Sequence, residues 1–151
     1  MNIELRDFFI RLYNQDYEII KDCCHQLNEN ELWRKTPEGV SLANLICHVC
    51  EMESFWIDVG LCCEEKNRDR QMEFDRDKDL NKNELIERIE KRNLKTLNQI
   101  NDISDEKFND CRSFHGDEFT GQGILLWHIH HLGLHRGHIQ AHSRWLKVST
   151  N

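Results

Sequence analysis

The chain is poor in the residues that break helices. Its 151 residues include one proline, Pro37, and seven glycines. Proline removes a backbone donor and glycine carries the largest backbone entropy cost, so their scarcity argues against many short strands and turns and favours long helices. The chain also lacks any unbroken apolar run of the roughly 18 residues that a transmembrane helix needs, so no membrane partner is expected. Positive charge is not in excess either. Twenty Lys and Arg stand against 27 Asp and Glu, a formal charge of −7. That balance argues against nucleic acid and against an anionic membrane surface. The opening stretch, MNIELRDFFIRLYNQDYEII, has neither the basic region nor the continuous apolar region of a secretion signal.

An even cysteine count is missing too. Seven cysteines, with the vicinal pairs Cys23–Cys24 and Cys62–Cys63, do not make a secreted disulfide framework. Reduced thiols and a cytoplasmic location are expected, most of the thiols serving as small buried apolar groups. The length fits a single domain spanning residues 1–151.

Four helices can be read from the periodicity. The first runs roughly from Ile3 to Leu27, with a stripe of Leu5, Phe8, Leu12, Ile19, Cys23 and Leu27 broadened by Phe9, Tyr13 and Ile20. NENELWRKTPEG ends it. Ser41 is a suitable N-cap for the second, LANLICHVCEMESFWIDVGLC, whose Leu45, Val49, Met52, Trp56 and Val59 share a face with His48. Residues 64–80 are dense in charge and read as an exposed crossover between helices running the same way. The third helix spans about Lys82–Ile100, on Leu85, Ile86, Ile89, Leu97 and Ile100. SDEKF reads as a loop with one helical turn, and the fourth helix runs from about Thr120 to Lys147. The fold class is all-α, a four-helix bundle.

What the chain has in abundance is histidine in one place. Six of its nine histidines lie within HIHHLGLHRGHIQAH, residues 128–142. His128, His131, His135, His138 and His142 are spaced 3, 4, 3 and 4, a heptad stripe that also carries Leu132, Ile139 and Leu146. His130 points the opposite way, and His25 and His115 lie outside the pattern and are expected to be solvated. An imidazole in a core is costly unless both ring nitrogens find partners. A metal ion is one such partner, and histidines at i and i+4 can reach one ion from adjacent turns. The stripe holds two such pairs, His131/His135 and His138/His142, and His48 on the second helix is the natural third ligand. A lone histidine such as His48 is more often a hydrogen-bonded core residue; five on one stripe shift the balance towards metal.

Two rival arrangements are weaker. Cys47 and Cys50 form a C-x2-C around His48, but about 80 residues separate them from His131, against roughly 12 to 15 in a zinc finger. A Cys–His nucleophile is not singled out by any spacing.

SLANLICHVCEME in the second helix, with HLGLHRGHI in the fourth, resembles the DinB-like (YfiT-like) metalloenzyme family. The resemblance extends to ELWRKTPEGVS and to DEKF, and so covers essentially the whole chain. It implies an up-down-down-up bundle with a long crossover between helices two and three, and commonly a homodimer. It places the metal triad on His48, His131 and His135, with zinc or nickel the usual ion. The position after Arg136-Gly137 is usually glutamine in that family and is His138 here. By the same resemblance, some relatives are thiol-dependent S-transferases or isomerases using mycothiol, bacillithiol or glutathione, and others are hydrolase-like.

The expected function is therefore a divalent-metal-dependent transferase acting on a small-molecule substrate with a low-molecular-weight thiol. Metal-dependent hydrolysis is the alternative enzyme, with Glu51 and Glu53 as candidate acid/base groups by proximity alone. A non-enzymatic metal-binding stress-response module is the alternative class. An apolar pocket near Trp56 and Trp127 is the expected place for a second substrate, and the homodimer is expected to use helix surfaces carrying Phe9, Trp127 and Leu134.

Overall fold

The structure, a computed structural model, describes residues 3–37, 39–65 and 80–148. Its frame is four long helices: α1 (Ile3–His25), α3 (Leu42–Glu53) continued by a π-helical segment (Ser54–Leu61), α4 (Lys82–Asp102) and α6 (Gly121–Val148). Two short helices join them, α2 (Glu29–Leu32) and α5 (Asp105–Asn109), with a hairpin of β1 (Cys111–Phe114) and β2 (Asp117–Thr120).

Cross-helix contacts fix the directions. Tyr13 meets His128, Asp16 meets Arg136, and Gln26 meets Lys147, so α1 and α6 run parallel. Asn14 meets Asn93 while Lys82 reaches the carbonyls of His25 and Leu27, so α4 opposes α1. Glu51 meets Arg88 and Asp58 meets Gln99, so α3 and α4 run together. His48 faces His135 while Trp56 faces Trp127, so α3 opposes α6. The order is up-down-down-up. The crossover expected at 64–80 falls largely outside the described residues, since 66–79 are not among them.

Helix starts follow local chemistry. Asn28, Ser41 and Asn81 each accept a bond from the backbone N–H three residues on, and the side chain of that third residue returns a bond to the cap backbone. This confirms Ser41 as a cap. The short α2 lies inside the stretch read as a simple terminator; its own Asn28–Glu31 capping box was the available signal.

Three sequence expectations need correction. The buried stripe of α1 is Phe9, Tyr13, Tyr17, Ile20 and Cys24, while Phe8 and Leu12 lie outside it. The mixed run FFIRLY supports either phase, and packing selects the one that places both tyrosines inward. Phe9 is therefore core and is not available to a dimer surface. The second helix is also not regular throughout. From Ser54 its backbone widens to i→i+5 bonds such as Cys62 N–H to the Ile57 carbonyl, which turns Ser54 and Asp58 towards α4. Finally, residues 111–120 form the hairpin rather than an irregular loop. Its two-residue turn places His115 (φ 56°) and Gly116 (φ 90°) both in the left-handed region, the requirement of a type I′ turn. The hairpin folds back on the π-helical segment at Gly60, where an added Cβ would stand 2.9 Å from the Phe114 ring.

Candidate metal centre

The face of α6 turned towards α1 and α3 is built from His128, Leu132, Ile139, His142 and Leu146, all buried. Along its edge beside α3 stand His131 and His135, both half-buried. His48 projects towards them from the middle of α3 and is itself buried. Ring centroids lie 4.4 Å apart for His131–His135, 4.8 Å for His48–His135 and 6.3 Å for His48–His131. One ligand atom from each of the three lies within 4.8 Å of the other two. The group can hold a divalent ion.

The fit can be tested on distances. His131 Nε2 and His135 Nε2 are 3.1 Å apart. Two imidazole nitrogens sharing a tetrahedral ion at Zn–N of roughly 2.0–2.1 Å stand about 3.3 Å apart. The i, i+4 pair therefore already has the separation of two ligands, and His48 has the larger adjustment to make. Burial, reinforced by His131, His48 and His138, lowers the pKa of His135 from 6.5 to about 4. The ring is thus neutral near pH 7, the form that ligates. Its Nδ1 is buried with no acceptor among the described residues. A ligating imidazole ordinarily donates from that second nitrogen, so the supporting layer is incomplete on this side.

The remaining histidines divide. His128 is a core residue: its Nδ1 lies 2.8 Å from the Tyr13 hydroxyl and the two rings stack within 9° of parallel. Burial first, then the neighbouring His131, Arg92 and His135, lower its pKa from 6.5 to about 3. His142 is buried, His138 is exposed, and His130 and His25 are exposed as expected. So the inward stripe of five holds at its buried centre only for His128 and His142, and His138 leaves it. His115 is exposed too, though it packs against Phe55 and Trp56.

Sequence reasoning missed what holds α6 in register. Arg136, next to His135, forms an ion pair with Asp16 of α1 at 2.5 Å. Burial raises the Asp16 pKa and Arg136 opposes that rise. An aspartate inside an otherwise apolar stripe was the signal, since such a group needs a partner. A second buried polar cluster lies between α3 and α4. Arg92 donates to Asp58 (2.8 Å), Thr96 and Gln99, Ser54 donates to Asp58, and Thr96 donates to Glu53. These bonds hold the Asp58 carboxyl well below the usual range against the opposing effect of burial. Glu53 is fully buried and its pKa rises to about 7, chiefly by burial, with Thr96, Tyr17 and Arg92 opposing. Glu51 pairs with Arg88. Both glutamates considered for hydrolysis therefore engage α4.

Cys47 and Cys50 are buried in the core, and the described group with metal-holding spacing contains no thiolate. All seven cysteines are free. The expected pocket at Trp56 and Trp127 is filled by rings: Trp56 packs on Phe114, Phe119 and Trp127 at 5.2, 5.8 and 6.2 Å. No helix among the described residues is long and apolar enough to cross a membrane.

Comparison with known proteins bears on this arrangement. The family model of the DinB superfamily matches residues 15–139. The chain belongs to the DinB superfamily. That match contains all three grouped histidines, the whole of α3 and the part of α6 that carries His131 and His135. Among solved structures, this DinB chain is similar to a DinB-like protein (YjoA) of Bacillus subtilis, with a TM-score of 0.70 and 12% identity over 92% of each chain. At that identity the likeness concerns the fold. No curated protein matches the chain.

Proposed function

We propose that this DinB-superfamily chain binds one divalent metal ion through His48, His131 and His135 and catalyses S-transfer of a low-molecular-weight thiol: the thiol gives up its proton, its sulfur bonds to an electrophilic carbon of a small-molecule substrate, and that carbon's leaving group departs. The observation that carries the reading is the grouping of three imidazoles, one of them neutral near pH 7, on two facing helices with no fourth protein ligand in the group. Three histidines with an open position are the pattern of catalytic zinc. An ion held there supplies Lewis acidity, enough to ionise a thiol of ordinary pKa about 8.5 near neutral pH.

The residues around the site favour thiol transfer over hydrolysis. Hydrolysis calls for an acid/base carboxylate beside the metal, and Glu51 and Glu53 are both engaged by α4. The Arg136–Asp16 pair holds α6 against α1 one residue from His135, and the Tyr13–His128 pair does the same one turn before His131. Zinc or nickel suits a site of imidazoles alone. The reading includes a cytoplasmic homodimer, supported by half-exposed Leu126, Trp127 and Leu134 on the outer side of α6.

The test is turnover of an electrophile panel with and without bacillithiol or glutathione, beside an ester and amide panel, on protein of measured metal content. Thiol-dependent turnover lost on chelation is expected. Metal-dependent hydrolysis without a thiol requirement would overturn the transferase assignment, and inactivity in both panels would favour a binding module.

A further inference from the structure

Beside the three grouped histidines, towards the C-terminal end of α6, lies a cavity of about 610 Å³. Val40, Leu45, Ala141 and Trp145 line its apolar walls, and His138 and His142 line it too. It adjoins the candidate metal centre through two residues. Leu45 lies one turn from His48 on α3, and the His138 ring is 5.8 Å from that of His135.

Three features say what such a cavity accepts. Its volume suits a small molecule, not a chain segment, since ligand pockets run about 300–1,000 Å³. Trp145 offers a flat, half-exposed face on which a planar apolar body can stack. Its other contacts leave it anchored: Arg34 lies over the ring, 5.3 Å from its centroid, and donates to the Leu146 carbonyl. The polar contribution is the imidazoles of His138 and His142 with the Thr36 hydroxyl, and no carboxylate lines the cavity among the described residues. In a chain of net charge −7 that makes this spot suited to a ligand bearing a hydrogen-bond acceptor. His138 is the group in position to meet that acceptor. It is exposed and makes no hydrogen bond among the described residues, while its edge-on contact with His135 keeps it between cavity and centre.

We infer that this cavity is the binding site for the small-molecule substrate, and that the substrate is a flat, mainly apolar molecule whose carbonyl oxygen accepts a hydrogen bond from His138. The inference rests on the proposed function for its link to chemistry, but the binding itself needs no metal. His138 is a specificity-determining residue in this scheme. It selects for the oxygen, while Trp145 and Leu45 select for the apolar body.

The experiment is titration calorimetry of the full chain with 4-phenylbutan-2-one, a ketone unreactive towards the protein's thiols, and with n-butylbenzene, which has no oxygen. Saturable ketone binding is expected, tighter than that of the hydrocarbon. Trp145→Ala and Leu45→Trp should each weaken it about tenfold, the scale of a lost stacking partner or a filled cavity. His138→Leu should leave hydrocarbon binding in place and erase most of a roughly three- to tenfold preference for the ketone. Metal content should match the unaltered chain in these three variants, with helicity checked by circular dichroism. His48→Ala should lose metal and still bind the ketone. No saturable binding to metal-loaded protein, or unchanged affinity in both Trp145→Ala and Leu45→Trp, overturns the inference while leaving the metal assignment standing. Ketone binding to a chain that never holds metal would sink the metal reading and keep the cavity. A ketone preference surviving in His138→Leu removes that residue's role.

Discussion

Tyr13 on α1 and His128 on α6, 115 residues apart, form a buried pair with phenol oxygen and imidazole nitrogen 2.8 Å apart. The bond ties together the two parallel helices just before the segment that carries His131 and His135. It also accounts for a histidine in the core without assigning it to metal.

Removing one partner of this pair should cost more than removing both. Tyr13→Phe leaves a buried imidazole nitrogen unsatisfied, at about 1–3 kcal/mol. His128→Leu leaves the phenol in the same position. The double variant should cost less than the sum of the two, and metal content should be unchanged throughout. Urea denaturation with elemental analysis reads both. Loss of metal in His128→Leu with the fold intact would make His128 a ligand.

Stability should fall on mild acidification. His128 has a folded pKa of about 3 against an ordinary value of 6.5. Between those values the unfolded chain binds a proton that the native chain does not. The contribution is therefore complete above pH 6.5 and is lost as pH falls towards 3, at up to about 1.4 kcal/mol per pH unit. His135, lowered to about 4, adds a loss of the same sign. Glu53, raised to about 7, binds its proton more readily in the folded chain and offsets part of the loss between about pH 7 and the ordinary carboxylate range. Asp58, whose folded pKa is lowered, adds its loss only below that range. Denaturation midpoints at pH 7, 6 and 5 should decline, and the decline should be shallower in the Tyr13→Phe/His128→Leu variant.

Alanine at His48, His131 or His135 should each remove most of the bound metal, whereas His138→Ala and His142→Ala should retain it. Elemental analysis of protein purified without a metal-affinity tag is the measurement. Full occupancy in all three ligand variants contradicts the assignment.

Arg92→Ala should be among the most damaging single changes outside the metal centre. It removes one of the two cations paired with Asp58, leaving Lys95 at 2.9 Å, and takes the guanidinium away from the fully buried Glu53. Breaking a buried pair from one side costs about 3–5 kcal/mol, and the retained Lys95–Asp58 pair sets the expected loss at the low end of that range. A thermal melt near that of the unaltered chain would show that the cluster is hydrated and weak.

Much of this architecture was legible because it is local and periodic. The limits of the long helices, the Ser41 cap and the 3-4-3-4 histidine spacing depend on backbone geometry and on residues within one or two turns. The hairpin was not, because its left-handed turn uses His115-Gly116 in place of the commoner Asn-Gly, and its strands are only four residues long. The phase of α1 was misread for a related reason. With Phe8, Phe9, Leu12 and Tyr13 all apolar, two helical faces compete, and only contact with α4 and α6 selects one.

The sequence by itself determined that His131 and His135 share a helix face, because 3.6 residues per turn allows little else at that spacing. It also determined that His48 lies on a second amphipathic helix. That His48 comes to stand against His135, while His138 turns outward to a cavity and His128 inward to Tyr13, was decided by the packing of α3 and α1 on α6. These histidines are identical in type, and His128 and His138 belong to the same 3-4-3-4 stripe. Their roles differ because each meets a different neighbour from a distant part of the chain, and no local rule encodes which neighbour that is.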